Sequence, residues 1–204
     1  MPSSTGLCIC RASWAEDPQR CAQAAIPPDK RGFATKPTLA AALLARAVAA
    51  NVPAGSVAGD EVYGADPRLR ATIRGHRQGY VLAASANRRV PTPAGVIGVD
   101  RLAAELPRWA WQKHCAGAGS HGDRYYSWAW IGLLPENDAD TGHHHLLIRR
   151  NDVTGEYAYL RCYSPPPTTL HTLVAVAGQR WRIEEAFQTA KGLVGIDQHA
   201  PQTS

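Results

Sequence analysis

Methionine occurs once in this 204-residue chain, phenylalanine twice and lysine four times. No apolar run approaches the roughly 20 residues needed to cross a bilayer. The longest candidate, Leu39 to Ala50, is broken by Arg46. The N-terminus lacks the apolar block, basic start and small-residue cleavage site of an export signal, so a soluble, cytoplasmic chain without a membrane partner is expected. Five cysteines (Cys8, Cys10, Cys21, Cys115, Cys162) are an odd number at scattered positions. That argues against a disulfide scaffold, and Cys8-x-Cys10 is not zinc-finger spacing. Charged residues make up only 19% and hydrophobic ones 45%. The chain therefore has enough apolar side chain to bury a core, which excludes a disordered tail or a fibre.

What is abundant is arginine. Of 22 cations against 17 acids, 18 are arginine, and the formal net charge is +5. The planar guanidinium suits bidentate contact with phosphate. The excess permits a polyanionic partner, although a GC-biased coding sequence produces the same composition. The run His143-His144-His145 invites a metal-binding reading. In a strand, however, neighbouring side chains turn to opposite faces, so three consecutive histidines cannot meet one ion.

Read along the chain, 1–36 is an irregular N-terminal segment whose Pro27-Pro28 pair opposes helix. An amphipathic helix is predicted from Thr38 to Asn51, then a short strand Gly55–Gly59 that delivers Asp60. A basic helix at Pro67–His76 and a strand at Tyr80–Ala84 follow. This order over 37–86 implies an α/β sheet with parallel pairing. From 87 to 167 the pattern becomes short β segments: Gly95–Val99, Trp109–His114, Arg124–Leu133, His144–Arg150 and Glu156–Tyr163. The last two are predicted to form a hairpin around Asn151-Asp152 and Gly155. Helix returns over 168–204, from Thr168 to Ala177, with a pause at Gly178, and again from Arg180 to Lys191. There are no internal repeats.

Asp60 stands where a strand ends and a turn begins, the edge at which ligands and catalytic groups collect in open α/β sheets. An Asp there is equally a common turn-former. In the final helix Arg180, Glu184, Phe187 and Lys191 fall on one face, with Ile183, Ala186, Phe187 and Ala190 as the predicted apolar stripe. By itself this face is also an ordinary solvated charge ladder. Trp109 and Trp111, and Trp128 and Trp130, alternate at spacing two, which on a strand puts both indoles of each pair on one face. Core packing and stacking on an unpaired base both fit that pattern. Tyr125 and Tyr126 are weaker candidates for the same role. Arg149 and Arg150 point to opposite faces, so at most one meets a given phosphate row.

Together these stretches carry a resemblance. Arg180-Trp181-Arg182-Ile183-Glu184-Glu185-Ala186-Phe187, then Lys191, resembles the tyrosine–arginine–glutamate–lysine signature of DDE insertion-sequence transposases. Phe33-Ala34-Thr35-Lys36-Pro37 and Val57-Ala58-Gly59-Asp60-Glu61-Val62-Tyr63-Gly64 are similar to the insertion sequence 701 branch. So are Tyr125-Tyr126-Ser127-Trp128-Ala129-Trp130, Leu147-Ile148-Arg149-Arg150 and Val176-Ala177-Gly178. The likeness spans about residues 14 to 199.

The resemblance implies a ribonuclease-H-like α/β core interrupted by an antiparallel β-rich insertion. It implies Asp60 as the second catalytic Asp and Glu184 as the catalytic Glu, both ligands of Mg²⁺ or Mn²⁺. Arg180 and Lys191 correspond to the signature's DNA-contacting cations, and Ala177 occupies its tyrosine slot. Trp128, Trp130 and Arg149 join the expected DNA contacts. The expected partner is DNA at transposon ends and targets, with a homodimer on DNA as one arrangement open to it. Asp17 lies in a Pro/Glu-rich segment without strand character and is not assigned as the first Asp. That residue and the N-terminal core strands are expected upstream of Met1, and a further helix beyond Ser204. On this reading the chain is a fragment, inactive alone, or else a dead remnant that only binds DNA.

Overall fold

The computed structural model describes residues 17–23, 33–119, 122–137 and 140–194. For Glu184, Glu185 and residues 187–194 it describes the helical backbone only. Helix α1 (Pro18–Gln23) is a short turn within the stretch expected to be irregular. Its first turn is bonded by Asp17, whose Oδ1 accepts from the Gln19 amide at 3.0 Å. Helix α2 (Lys36–Ala49) begins two residues before the expected start. Thr35 is its N-cap, accepting from the Thr38 amide, and Pro37 sits in the first turn where no intrahelical N–H is needed.

Strand β1 (Ser56–Gly59), helices α3 (Glu61–Ala65) and α4 (Pro67–Gly75), and strand β2 (Gly79–Ala84) follow. A small hairpin, β3 (Arg89–Thr92) with β4 (Gly95–Gly98), leads into α5 (Val99–Glu105) and a 3-10 turn (Arg108–Ala110). Four long strands come next: β5 (Gln112–Gly119), β6 (Gly122–Leu133), β7 (His143–Arg150) and β8 (Tyr157–Ser164). Helix α6 (Leu170–Val194) completes the described chain.

One six-stranded sheet runs in the order β1-β2-β8-β7-β6-β5. β1 and β2 pair in parallel, Val57 opposite Tyr80, and every other pairing in it is antiparallel. This is the α/β architecture with an antiparallel block that the resemblance implies. The β7–β8 hairpin turns through Asn151 and Gly155, whose φ of +74° favours glycine.

Alternation sorts the sheet's side chains onto two covered faces. Val81, Ala116, Trp128, Leu147, Leu160 and Cys162 lie beneath α6 and meet Leu170, Leu173, Val174 and Ala177. On the opposite face Tyr80, Leu82 and Tyr163 pack under Leu69 and Ile73 of α4. Beside them Leu146, Ile148 and Tyr159 meet Val90, Val99 and Ala103 from the small hairpin and α5. The sheet curls about α6, which packs against both edge strands, β1 and β5.

Two expectations need correction here. α6 does not pause at Gly178. A Cβ at that position would overlap the carbonyl oxygen of Ala116 in β5, so glycine is what lets an unbroken helix press onto the sheet. Among the described residues the apolar stripe of α6 is also not the one expected at Ile183 and Ala186, both exposed; the side chains of Phe187 and Ala190, expected in the same stripe, lie outside those residues. The observed stripe is Leu170, Leu173, Val174, Ala177 and Trp181. Ile183 comes two residues after Trp181, about 200° around the helix, and so faces away.

Candidate active site

β1 ends at Gly59, and Asp60 opens α3 in an extended conformation (φ −78°, ψ −175°). Its Oδ1 accepts from the amides of Val62 at 2.9 Å and Tyr63 at 3.4 Å. Asp60 is thus a helix N-cap, one of the roles open to an Asp after a strand. Both cap bonds fall on Oδ1, which leaves Oδ2 for another ligand. The cap is held close to the sheet by two glycines. A Cβ at Gly59 would come within 2.9 Å of Leu82 Cδ2, and one at Gly64 would overlap the Ala83 carbonyl oxygen. α3 therefore lies directly on β2, and the half-buried Asp60 sits at the strand end with its backbone fixed.

Glu184 belongs to the C-terminal half of α6, the helix that packs against β1. The side chains of Glu184 and Lys191 lie outside the described residues. Among the described residues no group of three or more His, Cys, Asp and Glu is placed to hold a metal ion. The histidine run divides as strand alternation requires. His144 faces α4, with Nε2 2.9 Å from Asp140 Oδ2 and its ring 5.0 Å from that of Tyr163. His145 faces α6 and stacks on Trp130 at 4.6 Å.

The described cations and aromatics assemble at the same helix. The Arg149 guanidinium lies between two rings, 4.6 Å from the centroid of Tyr126 and 4.7 Å from that of Trp181. Burial, together with the neighbouring charge of Arg180, pulls its pKa down against the pull of Tyr126 and Glu156. Arg180 is half-buried on α6. Arg150 points the other way, over Trp111 at 4.7 Å.

Of the four tryptophans in the two expected pairs, Trp128 is fully buried in the core beneath α6. Of the two roles open to it, packing is the one its position serves, because stacking on a base requires an exposed ring face. Trp130 is half-buried, with one face taken by His145. Trp109 and Trp111 do not share a strand. Trp109 sits in the 3-10 turn, 84% exposed, and Trp111 precedes β5. The strand expected at Trp109–His114 starts only at Gln112, after Pro107 has opened the turn.

Trp181 is the participant the sequence reading passed over. It contacts Tyr126, Trp128 and Arg149. Its spacing of four from Ala177 and seven from Val174 was the available signal.

Residues 6–100 match the family model of the DDE superfamily endonucleases. That supports a DDE transposase-type family over just under half of the chain. The matched segment takes in β1, Asp60, α3 and β2, and stops short of Glu184. No curated protein is a significant match to the chain. No helix among the described residues is long and apolar enough to cross a membrane.

Proposed function

We propose that this chain is a transposase of the insertion sequence 701 branch, acting on DNA phosphodiester bonds at transposon ends by hydrolysis and strand transfer. One observation carries the reading. The family match covers the strand–Asp60–helix unit, and the helix bearing Glu184 packs against that same strand. Asp60 Oδ2 and the Glu184 carboxylate are hard oxygen donors of the kind Mg²⁺ or Mn²⁺ prefers. When bound, such ions activate the attacking oxygen and stabilise the leaving one. Arg180, Lys191 and the ring-clamped Arg149 then hold the flanking phosphates, contacts that set position rather than sequence choice. Trp130, half-buried and stacked on His145, serves as an aromatic contact.

The test is cleavage of labelled transposon-end DNA by the purified chain with Mg²⁺, beside a filter-binding titration across salt. Against the expectation of a chain inactive alone, this proposal predicts cleavage that Asp60→Asn and Glu184→Gln each lower by about a thousandfold, the several kcal/mol expected of metal assistance, while leaving DNA binding intact. Arg149→Ala and Arg180→Ala should each reduce the salt slope of binding by about one. DNA binding with no cleavage under any condition would favour a remnant that only binds. Cleavage indifferent to Asp60 would refute the assignment.

A further inference from the structure

Between β6 and β7 the chain carries Glu136 onto the α4 face of the sheet, where three arginines from two elements converge on one carboxylate. Arg70 of α4 meets its Oε1 through Nε at 3.0 Å and Nη2 at 2.8 Å. Arg74 of α4 donates Nη1 to Oε2 at 2.7 Å, and Arg161 of β8 brings Nη2 to Oε1 at 2.9 Å. All three guanidinium side chains are less than 10% exposed, and that of Glu136 is 15% exposed. Arg74 also pairs through Nε with Asp140 Oδ2 at 2.8 Å. Burial would raise the Glu136 pKa, but Arg161, Arg70 and Arg74 outweigh it and hold the carboxyl below its ordinary value.

A buried cluster of this kind adds little net stability compared with apolar packing; its better-attested use is to fix geometry. The geometry it fixes leads to Asp60. Arg70 Nη1, on the same guanidinium that Glu136 grips, donates to the carbonyl oxygen of Gly64 at 2.6 Å. The amide of Gly64 in turn donates to the carbonyl oxygen of Asp60 at 2.9 Å. Gly64 is also where α3 rests on β2 without room for a Cβ. A continuous chain of bonds thus runs from Glu136 through Arg70 and Gly64 to the backbone of Asp60. Lysine could not replace Arg70, because one ammonium cannot span a carboxylate and a carbonyl in fixed directions.

We propose that Glu136 and Arg70 are positioning residues that set the Asp60 carboxylate, so that the β6–β7 connection controls the geometry of the candidate metal ligand. The consequence for metal rests on the function proposed above; the positioning itself does not, and the experiment separates them. Amide hydrogen exchange is measured on the full chain for Arg70→Lys and Glu136→Gln, with Glu105→Gln of the exposed Arg101–Glu105 pair as control.

The amides of Val62, Tyr63 and Gly64 should exchange about tenfold faster or more in both variants, while Leu146 and Leu147 of β7 keep their protection. Unchanged exchange at those three amides in a folded Arg70→Lys protein overturns the inference, as does an equal rise across β7. Should Glu136→Gln fail to unfold cooperatively, Arg70→Lys decides. In parallel, titration with Mn²⁺ alone should show affinity about 10–100-fold weaker in both variants, the usual effect of disturbing what orients a ligand. If Asp60→Asn leaves Mn²⁺ binding unchanged, the metal reading of Asp60 falls, while the exchange data still decide the positioning.

Discussion

Replacing Gly178 with alanine is the sharpest test of how α6 meets the sheet, because two effects of known sign oppose each other. In an exposed helix interior the change stabilises by about 1 kcal/mol, since glycine gives up more backbone freedom than alanine on folding. Here the new Cβ would overlap the carbonyl oxygen of Ala116. That atom is backbone, in the irregularity where β5 shifts register between Cys115 and Ala118, and cannot swing aside as a side-chain tip would. Overpacking of this kind costs about 3 kcal/mol, the upper part of its usual range.

The net expectation is a loss of about 2 kcal/mol, or a fall in melting temperature of roughly 4–8 °C for a domain of this size. Gly75 provides the control. It is the last residue of α4 and nothing lies within 4 Å of where its Cβ would go. Gly75→Ala should therefore leave stability unchanged or raise it slightly. Urea unfolding followed by circular dichroism reads both, with unchanged slopes marking a true stability effect. A Gly178→Ala protein as stable as wild type would show that α6 does not press on β5 at this point.

Two further predictions concern titration and reactivity. His144 and His145 both have pKa values depressed below the ordinary 6.5, burial being the first cause in each. The unfolded chain therefore binds protons more readily, and stability present above pH 6.5 is lost as pH falls through the folded values. Urea midpoints should drop between about pH 8 and pH 5. His145→Phe, which keeps a ring against Trp130 but removes the proton site, should shrink that drop; an equal drop in the variant would discharge His145 from the role. Cys162 is fully buried, and desolvation pushes its thiol far above the ordinary range. In native protein iodoacetamide should modify the half-buried Cys115 and spare Cys162, with urea abolishing the difference. Native alkylation of Cys162 would contradict the packing beneath α6.

Much of this fold could be read from residue order, because the informative signals were local. Apolar residues at helical spacing announce the helix at Thr38–Asn51; Asn151-Asp152 and Gly155 announce the β7–β8 turn; alternating apolar residues announce the long strands. The signals that misled were those whose meaning depends on a distant neighbour. A glycine within a helical run reads as a break until one sees the Ala116 carbonyl beneath Gly178. A stripe through Ile183 looks apolar by composition, yet the sheet takes the face through Val174, Ala177 and Trp181. Glu136 gave no local sign at all. It follows Leu133-Leu134-Pro135 in a connection, and its three arginine partners lie 66, 62 and 25 positions away, distances at which no periodicity operates.

The same distinction explains why the candidate site was half legible. Asp60 is conspicuous because strand, acid and helix start are adjacent in sequence, and that adjacency is also why it makes a good N-cap. The cap and the proposed metal role reinforce each other. Capping fixes Oδ1 with two amides and so removes rotational freedom from the carboxylate, leaving Oδ2 pointed by bonds already made. A ligand held this way loses less entropy on meeting a cation than one on a free side chain. Disturbing the cap while keeping the charge, as Asp60→Glu would, should therefore weaken Mn²⁺ binding even though a carboxylate remains. Retention of full affinity by that variant would mean the cap and the metal are served by different residues.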